Sequence, residues 1–190
     1  PHGRPARKTL GMTHPGPVLV VDVGGTNAKA KVDDGDKIKV PTGPDAQPAA
    51  TIAALRELIP EDSYCSVTIG VPSPVRRGVI HHDPANLGPG WAGFDYAAAF
   101  DRPVRLINDA ALQAIGGYEG GTMLFLGFGT GLGSALIKDH KVIPLELAHL
   151  PYLDGGSYED SVGDAGHDRL GQEEWERRVH EVTRLLREAT

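Results

Sequence analysis

Residues 18–32 read VLVVDVGGTNAKAKV. Val18 to Val23 is an apolar run closed by Gly24-Gly25, Ala28 to Val32 resumes a strand-like pattern, and Asp33-Asp34-Gly35 supplies the next turn. The stretch is therefore expected to be two strands of a hairpin. The glycine pair admits a second reading. Backbone N–H groups with no Cβ beside them can approach an anion closely, so Gly24, Gly25, Thr26 and Asn27 form a candidate phosphate clamp as well as a tight turn. Asp22, at the end of the first strand, adds a carboxylate placed to hold a hydrated Mg²⁺ beside the phosphates.

Beyond this hairpin, Lys37 to Val40 is a third short strand, and Pro48 to Ile59 is helical, with Ile52, Leu55 and Ile59 on one face and Pro60 ending it. Ser66 to Val71 is a buried strand, Val75 to Ile80 is another after the bend at Pro72 and Pro74, and His82 to Trp91 is a loop rich in Pro, Gly and Asn. Asp95 caps a short helix through Phe100, Val104 to Ile107 is a strand, and Ala110 to Ile115 is a helix stopped by Gly116-Gly117. The opening order then repeats. Met123 to Phe128, Ser134 to Lys138 and Val142 to Leu145 are strands, again with a glycine-rich turn containing a threonine after the first of them. The expected division is an extension over 1–16, one unit over 17–117 and a second over 118–190. Asp154 to Asp168 reads as loop, and Gln172 to Ala189 as a helix with the apolar stripe Trp175, Val179, Val182 and Leu186.

A chain of 190 residues that is 40% hydrophobic and 23% charged carries enough apolar material for a real core. Its net charge of -6 argues against nucleic acid or an acidic membrane as a general partner. The single cysteine, Cys65, cannot form an internal disulfide, and no apolar run approaches the roughly 20 residues of a membrane helix. The expected compartment is the cytoplasm. Pro1 to Thr13 is polar, carries Arg4, Arg7 and Lys8, lacks the apolar stretch of a signal peptide and reads as a disordered extension.

In the second glycine turn, residues 127–133, every other position is glycine, so the backbone can wrap phosphate oxygens at Gly129, Thr130 and Gly131. Leu132 stands where a dinucleotide fingerprint starting at Gly127 needs its last glycine, and no P-loop motif is present. Asn108-Asp109 lies where a strand gives way to a helix. There a carboxylate can point into a cleft and accept a hydroxyl proton, or the pair can simply cap the helix. Glu146 and His149 close another strand as an acceptor and an imidazole suited to vicinal hydroxyls, or as a surface pair. His81-His82 lack the companions of a metal site and read as exposed loop residues.

Taken together, these segments resemble the ROK family of repressors, open-reading-frame proteins and kinases, from about Val18 onward. Residues 22–26 are similar to its first phosphate motif, 106–110 to its catalytic segment and 127–133 to its second phosphate motif. Residues 146–149 are similar to its Glu-x-Gly-His sugar motif with Ala148 in place of glycine, a methyl that is tolerable if the backbone stays at negative φ. Asn86, within residues 86–91, resembles the loop asparagine that touches the sugar, and Glu159 the later sugar-binding glutamate. The resemblance implies an α/β, actin-like, hexokinase-type ATPase fold of two ribonuclease-H-like units, the second incomplete. The family's cysteine-rich zinc site has no counterpart here, which resembles the branch holding polyphosphate glucokinases and glucomannokinases and implies no zinc. Family members continue with a strand and a nucleotide loop. The resemblance therefore implies either a longer natural chain or another chain, as in a homodimer, covering the open edge of Met123 to Phe128.

The activity so implied is direct transfer of a terminal phosphoryl group from ATP or polyphosphate, with Mg²⁺, to the 6-hydroxyl of a hexose such as glucose or mannose. Asp109 would accept the proton, Asn86, Asn108, Glu146, His149 and Glu159 would orient the sugar, and the two glycine turns would hold phosphate. Two alternatives belong to other classes. One is a catalytically inactive, truncated sugar-binding module. The other, a sugar-responsive regulator, needs a helix-turn-helix, for which the segment before Val18 is too short.

Overall fold

The computed structural model describes residues 16–190; the extension expected over 1–16 lies, apart from Gly16, outside the described residues. The first half of the chain contains β1 (Val18–Val23), β2 (Asn27–Val32), β3 (Ile38–Pro41), α1 (Pro48–Leu58), β4 (Ser66–Val71), β5 (Val75–Arg76) and β6 (Val79–Ile80). Then come α2 (Tyr96–Phe100), β7 (Val104–Asn108), α3 (Asp109–Gly117), β8 (Thr122–Phe128), β9 (Leu132–Lys138) and β10 (Lys141–Leu145). The last helices are α4 (Tyr158–Val162), α5 (Asp164–Leu170) and α6 (Gln172–Ala189).

Two sheets carry the architecture. The first has the order β3-β2-β1-β4-β7, with β1 antiparallel to β2 and parallel to β4, and β4 parallel to β7. The second, β10-β9-β8, is antiparallel throughout. Each sheet opens with a hairpin around a glycine turn and adds the third strand beyond it, so the repeated order in the sequence is a repeated topology. Period-two alternation places Leu19, Val21 and Val23 of β1 in the core and leaves Asp22 on the opposite face. Central strand β4 turns Val67, Ile69 and Val71 to one face and the small residues Ser66, Thr68 and Gly70 to the other. Ile52 and Leu55 of α1 close one of those faces, with Ile59, Trp91, Tyr96 and Phe100.

The parallel trio β1, β4 and β7 ends its strands side by side, with Asp22, Gly70 and Ile107 in one register row. Clefts at the carboxyl ends of parallel strands are where α/β proteins place their ligands. Helix α3 starts directly from the end of β7 and lies between the two sheets. Toward the first sheet, Leu112 seats on Gly70. A Cβ there would stand 2.7 Å from Leu112 Cδ2 and 3.2 Å from the Asp109 Cα. Toward the second sheet, Ala111 and Ala114 pack on Ala135 and Ile137 of β9, and a Cβ on Gly133 would come within 3.1 Å of the Ala110 Cβ. A separate cluster joins Leu132, Ala148, Val162, Val182 and Leu186, with Val179 of the α6 stripe and Leu124, Leu126 and Phe128 of β8 against it.

Three elements differ from expectation. Val75 to Ile80 is not one strand but a minimal hairpin, because Arg77 and Gly78 both take positive φ, 53° and 75°. Helix α3 runs through Gly116 and Gly117, and the left-handed steps come later, at Gly120 and Gly121. Asp154 to Asp168 is not loop-like. Ser157 and Asp160 form a reciprocal capping box that starts α4, and α5 follows at once. No helix among the described residues is long and apolar enough to cross a membrane.

The Gly70 contact generates a test. Gly70→Ala pushes α3 off β4 and should lower stability by about 1–3 kcal/mol in urea unfolding. Adding Leu112→Ala, which vacates the space, should recover part of that loss; a Gly70→Ala protein of unchanged midpoint would contradict the packing.

Candidate active site

The first glycine turn is closed by the Gly24 N–H donating to the Asn27 carbonyl at 3.0 Å, so it is a hairpin turn in its own right. Thr42 anchors it from β3's far end: its hydroxyl donates to the Gly24 carbonyl at 2.6 Å and its N–H to the Thr26 carbonyl at 2.9 Å. Asn86 lies against the tip, where a Cβ on Gly25 would stand 2.7 Å from Asn86 Nδ2. The loop carrying Asn86 is stapled by Asp83, whose carboxylate accepts from the Gly90 and Ala92 N–H groups at 3.1 and 2.8 Å. Those two bonds hold its pKa below the usual carboxylate range. Trp91 Nε1 and the Gly88 N–H both donate to the Ala46 carbonyl, fixing the loop to the segment before α1.

At the start of α3 the two roles weighed for Asn108-Asp109 are divided between the residues. Asn108 is the cap: its Oδ1 accepts from the Ala111 N–H at 3.2 Å. That leaves its amide nitrogen as a donor. Asp109 is half-buried, with Oδ1 accepting from the Ala110 N–H at 2.8 Å. Burial pushes its carboxyl up to about 6, the Ala110 N–H opposes the rise, and the negative charges of Asp22 and Glu146 add to it. Asp22 is likewise raised, by burial first, and is held back by Lys29, by a hydrogen bond from Gln113 and by Lys37. Gln113, one helical turn after Asp109, donates from Nε2 to Asp22 Oδ2 at 3.4 Å.

The second turn is braced from behind by the chain between α4 and α5. The Asp164 N–H donates to the Gly129 carbonyl at 2.9 Å, and Gly163 packs against the Thr130 carbonyl and the Gly131 Cα. Gly129 and Thr130 are exposed at its tip. Glu159 does not reach into open space. Its Oε2 accepts from the Leu132 N–H at 3.3 Å, and the carboxylate lies directly over Gly131. The segment with Glu146 and His149 forms a 3₁₀ turn, Leu147–His149, in which both polar side chains are exposed and Ala148 is buried. Ala148 is not among the residues with positive φ, so its methyl fits the backbone and fills the core beside Leu132 and Val162.

The structure thus gathers Asp22, Asp109 and Glu146 electrostatically at the head of α3, seats Asn86 on the first turn and seats Glu159 on the second. His149 stands exposed close in sequence to Glu146, and Thr26 and Thr130 stand exposed on the two turns. Among the described residues no group of three or more His, Cys, Asp or Glu is placed to hold a metal by itself. One carboxylate completed by substrate phosphates is, however, the shell Mg²⁺ ordinarily takes, and Asp22 fits it. Sequence reading missed Gln113, Asp83 and Gly70, and named Gly133 only as part of the second glycine turn. Only Gln113 carried a signal, its i+4 spacing from Asp109 on one helix face.

No family profile matches the chain. It is 29% identical to a polyphosphate glucokinase of Mycobacterium leprae (strain TN), over 98% of this chain and 63% of the relative. It therefore spans less than two thirds of that curated relative's length. Among solved structures it resembles an inorganic polyphosphate/ATP-glucomannokinase from Arthrobacter sp. strain KM, with a TM-score of 0.67 and 31% identity over 86% of this chain and 76% of that one. A ROK hexokinase from Thermus thermophilus matches with a TM-score of 0.59 and 27% identity, over 80% and 62% of the two chains. The fold is accordingly the α/β, actin-like fold of the hexokinase type.

The electrostatics predict a titration. The Asp109 carboxyl, followed by ¹³C NMR, should titrate near pH 6, and Asp22→Asn should lower that value because it removes a like charge. Titration near 3.9, the ordinary aspartate value, would contradict the buried setting.

Proposed function

The chain belongs to the ROK family, and from that premise we propose that it phosphorylates a hexose, glucose or mannose, at the 6-hydroxyl with polyphosphate or ATP as donor. The observation that carries the proposal is Asp109: a half-buried carboxyl at the head of α3, between the strand end holding Asp22 and the segment holding Glu146, raised to about 6. A base of that strength is ionised at neutral pH and is far stronger than an ordinary carboxylate, which suits it to accept a hydroxyl proton as the oxygen attacks phosphorus. The names of the relatives, which include polyphosphate and ATP as donors and glucose as acceptor, support the same reading.

In this account Asn86, the Asn108 amide, Glu146, His149 and Glu159 receive the sugar hydroxyls. Gly25, Thr26 and Asn27 on one side, and Thr130 and Gly131 on the other, receive donor phosphate through their backbone N–H groups, while the Gly24 and Gly129 N–H groups close their own turns on the Asn27 and Gly131 carbonyls. Asp22, steadied by Gln113, is the residue that would hold Mg²⁺, most simply through water. When bound, that ion would neutralise phosphate charge. Asp109 then needs only to be ionised and within reach of the 6-hydroxyl, so positioning and electrostatics supply most of the rate. We place the reaction in the cytoplasm.

A coupled assay for hexose 6-phosphate, run with tripolyphosphate and with ATP, tests this. Asp109→Asn should lower kcat by roughly 10²–10⁴-fold, and wild-type kcat/KM should fall tenfold per pH unit below about pH 6, where Asp109 becomes protonated. Equal rates for wild type and Asp109→Asn would reject Asp109 as the base.

A further inference from the structure

The second glycine turn already holds an anion of the protein's own. Glu159 stands on α4, which packs both on the 3₁₀ turn of His149 and on the start of β9. Its Oε2 accepts the Leu132 N–H at 3.3 Å, and the carboxylate lies so close over Gly131 that a Cβ there would collide with it. A carboxylate oxygen on a backbone N–H in a glycine turn has the charge and the bond that a phosphate oxygen would have in the same place. That N–H has one hydrogen to give. The turn cannot retreat, because the Asp164 N–H and Gly163 close its far side.

We propose that Glu159 is a built-in occupant of the donor turn, a positioning residue that the phosphate chain must displace and that the hexose releases. The proposal rests on the hexose kinase reading for the identity of the acceptor. Hydroxyls bound beside His149 give the Glu159 carboxylate a new partner on the face of α4 that borders that segment. Its departure frees the Leu132 N–H and removes a like charge from the path of the incoming phosphate. The device discriminates between acceptors: with no sugar present the donor turn stays filled and transfer of the phosphoryl group to water is suppressed. It also fixes an order, acceptor before donor.

The test is calorimetric titration of tripolyphosphate, with Mg²⁺, into the full chain, with and without glucose, for wild type, Glu159→Ala and Glu159→Gln. Without glucose, Glu159→Ala should bind tripolyphosphate at least about tenfold more tightly than wild type, the scale of one removed like-charge contact. Glucose should tighten wild type and leave Glu159→Ala unchanged. Glu159→Gln keeps the shape and loses the charge, so it should follow Glu159→Ala, and it carries the comparison if the alanine variant does not fold. Equal or weaker binding by the uncharged variants, or no binding by any of the three, overturns the proposal. Hexose 6-phosphate formation measured on the same wild-type samples separates the two claims. Turnover without relief of binding rejects the occupant alone, and relief without turnover rejects the kinase reading while leaving Glu159 on the donor turn.

Discussion

One steric constraint underlies the arrangement: helix α3 fits between two sheets only because each sheet presents a glycine where the helix touches it. Gly70 on β4 receives Leu112 and the backbone of Asp109, and Gly133 on β9 receives Ala110. The helix contributes its own small residues, with Ala110, Ala111 and Ala114 all buried. Close-packed interiors leave no slack for a methyl group at such points. The first turn of α3 is therefore fixed against both sheets at once, and Asp109 with it. A helix held by one sheet alone would leave the distance from Asp109 to the other glycine turn undetermined.

Electrostatics follows from that placement. Carboxylates are ordinarily kept apart or kept wet, yet Asp22 and Asp109 are both partly desolvated and near enough for Asp22 to raise Asp109. The arrangement persists because Asp22 has compensation, from Lys29 opposite it on β2, from Lys37 and from Gln113, whereas Asp109 is held back by backbone N–H groups, those of Ala110 and of Asp109 itself. The two environments drive the groups toward different tasks. Asp22 is the better held anion and suits a cation; Asp109 is the stronger base and suits a proton. Glu146 adds negative charge from the second sheet's side, so Asp109 responds to both halves of the site.

The sheet strands were legible because their signals are local. An apolar run ending in Gly-Gly marks β1 and its turn, and strict alternation sets which face of β1 carries Asp22. The Asp154 to Asp168 segment was misread because composition, rich in Gly and Asp, spoke for a loop while the pairing of Ser157 with Asp160 specified a helix start. The Val75 to Ile80 hairpin was hidden because its turn places a non-glycine residue, Arg77, at positive φ. In the site, Asp109 stands out by its residue type where a strand gives way to a helix, and Asn86 and Glu159 by resemblance alone. What the sequence could not express is contact across the fold. Nothing local tells that Asp83 staples its loop through Gly90 and Ala92, that Gln113 reaches Asp22 across 91 residues, or that Glu159 rests on Gly131.

The central claim is that the head of α3 stands between two anion-receiving turns that act on one ligand. The most direct measurement is paramagnetic broadening of backbone amide signals during titration with Mn²⁺ and tripolyphosphate. The account predicts that Gly25, Ala110 and Gly131 broaden together at substoichiometric metal, ahead of the acidic turn at residues 33–36. Broadening confined to one glycine turn, or strongest at that surface turn, would contradict it.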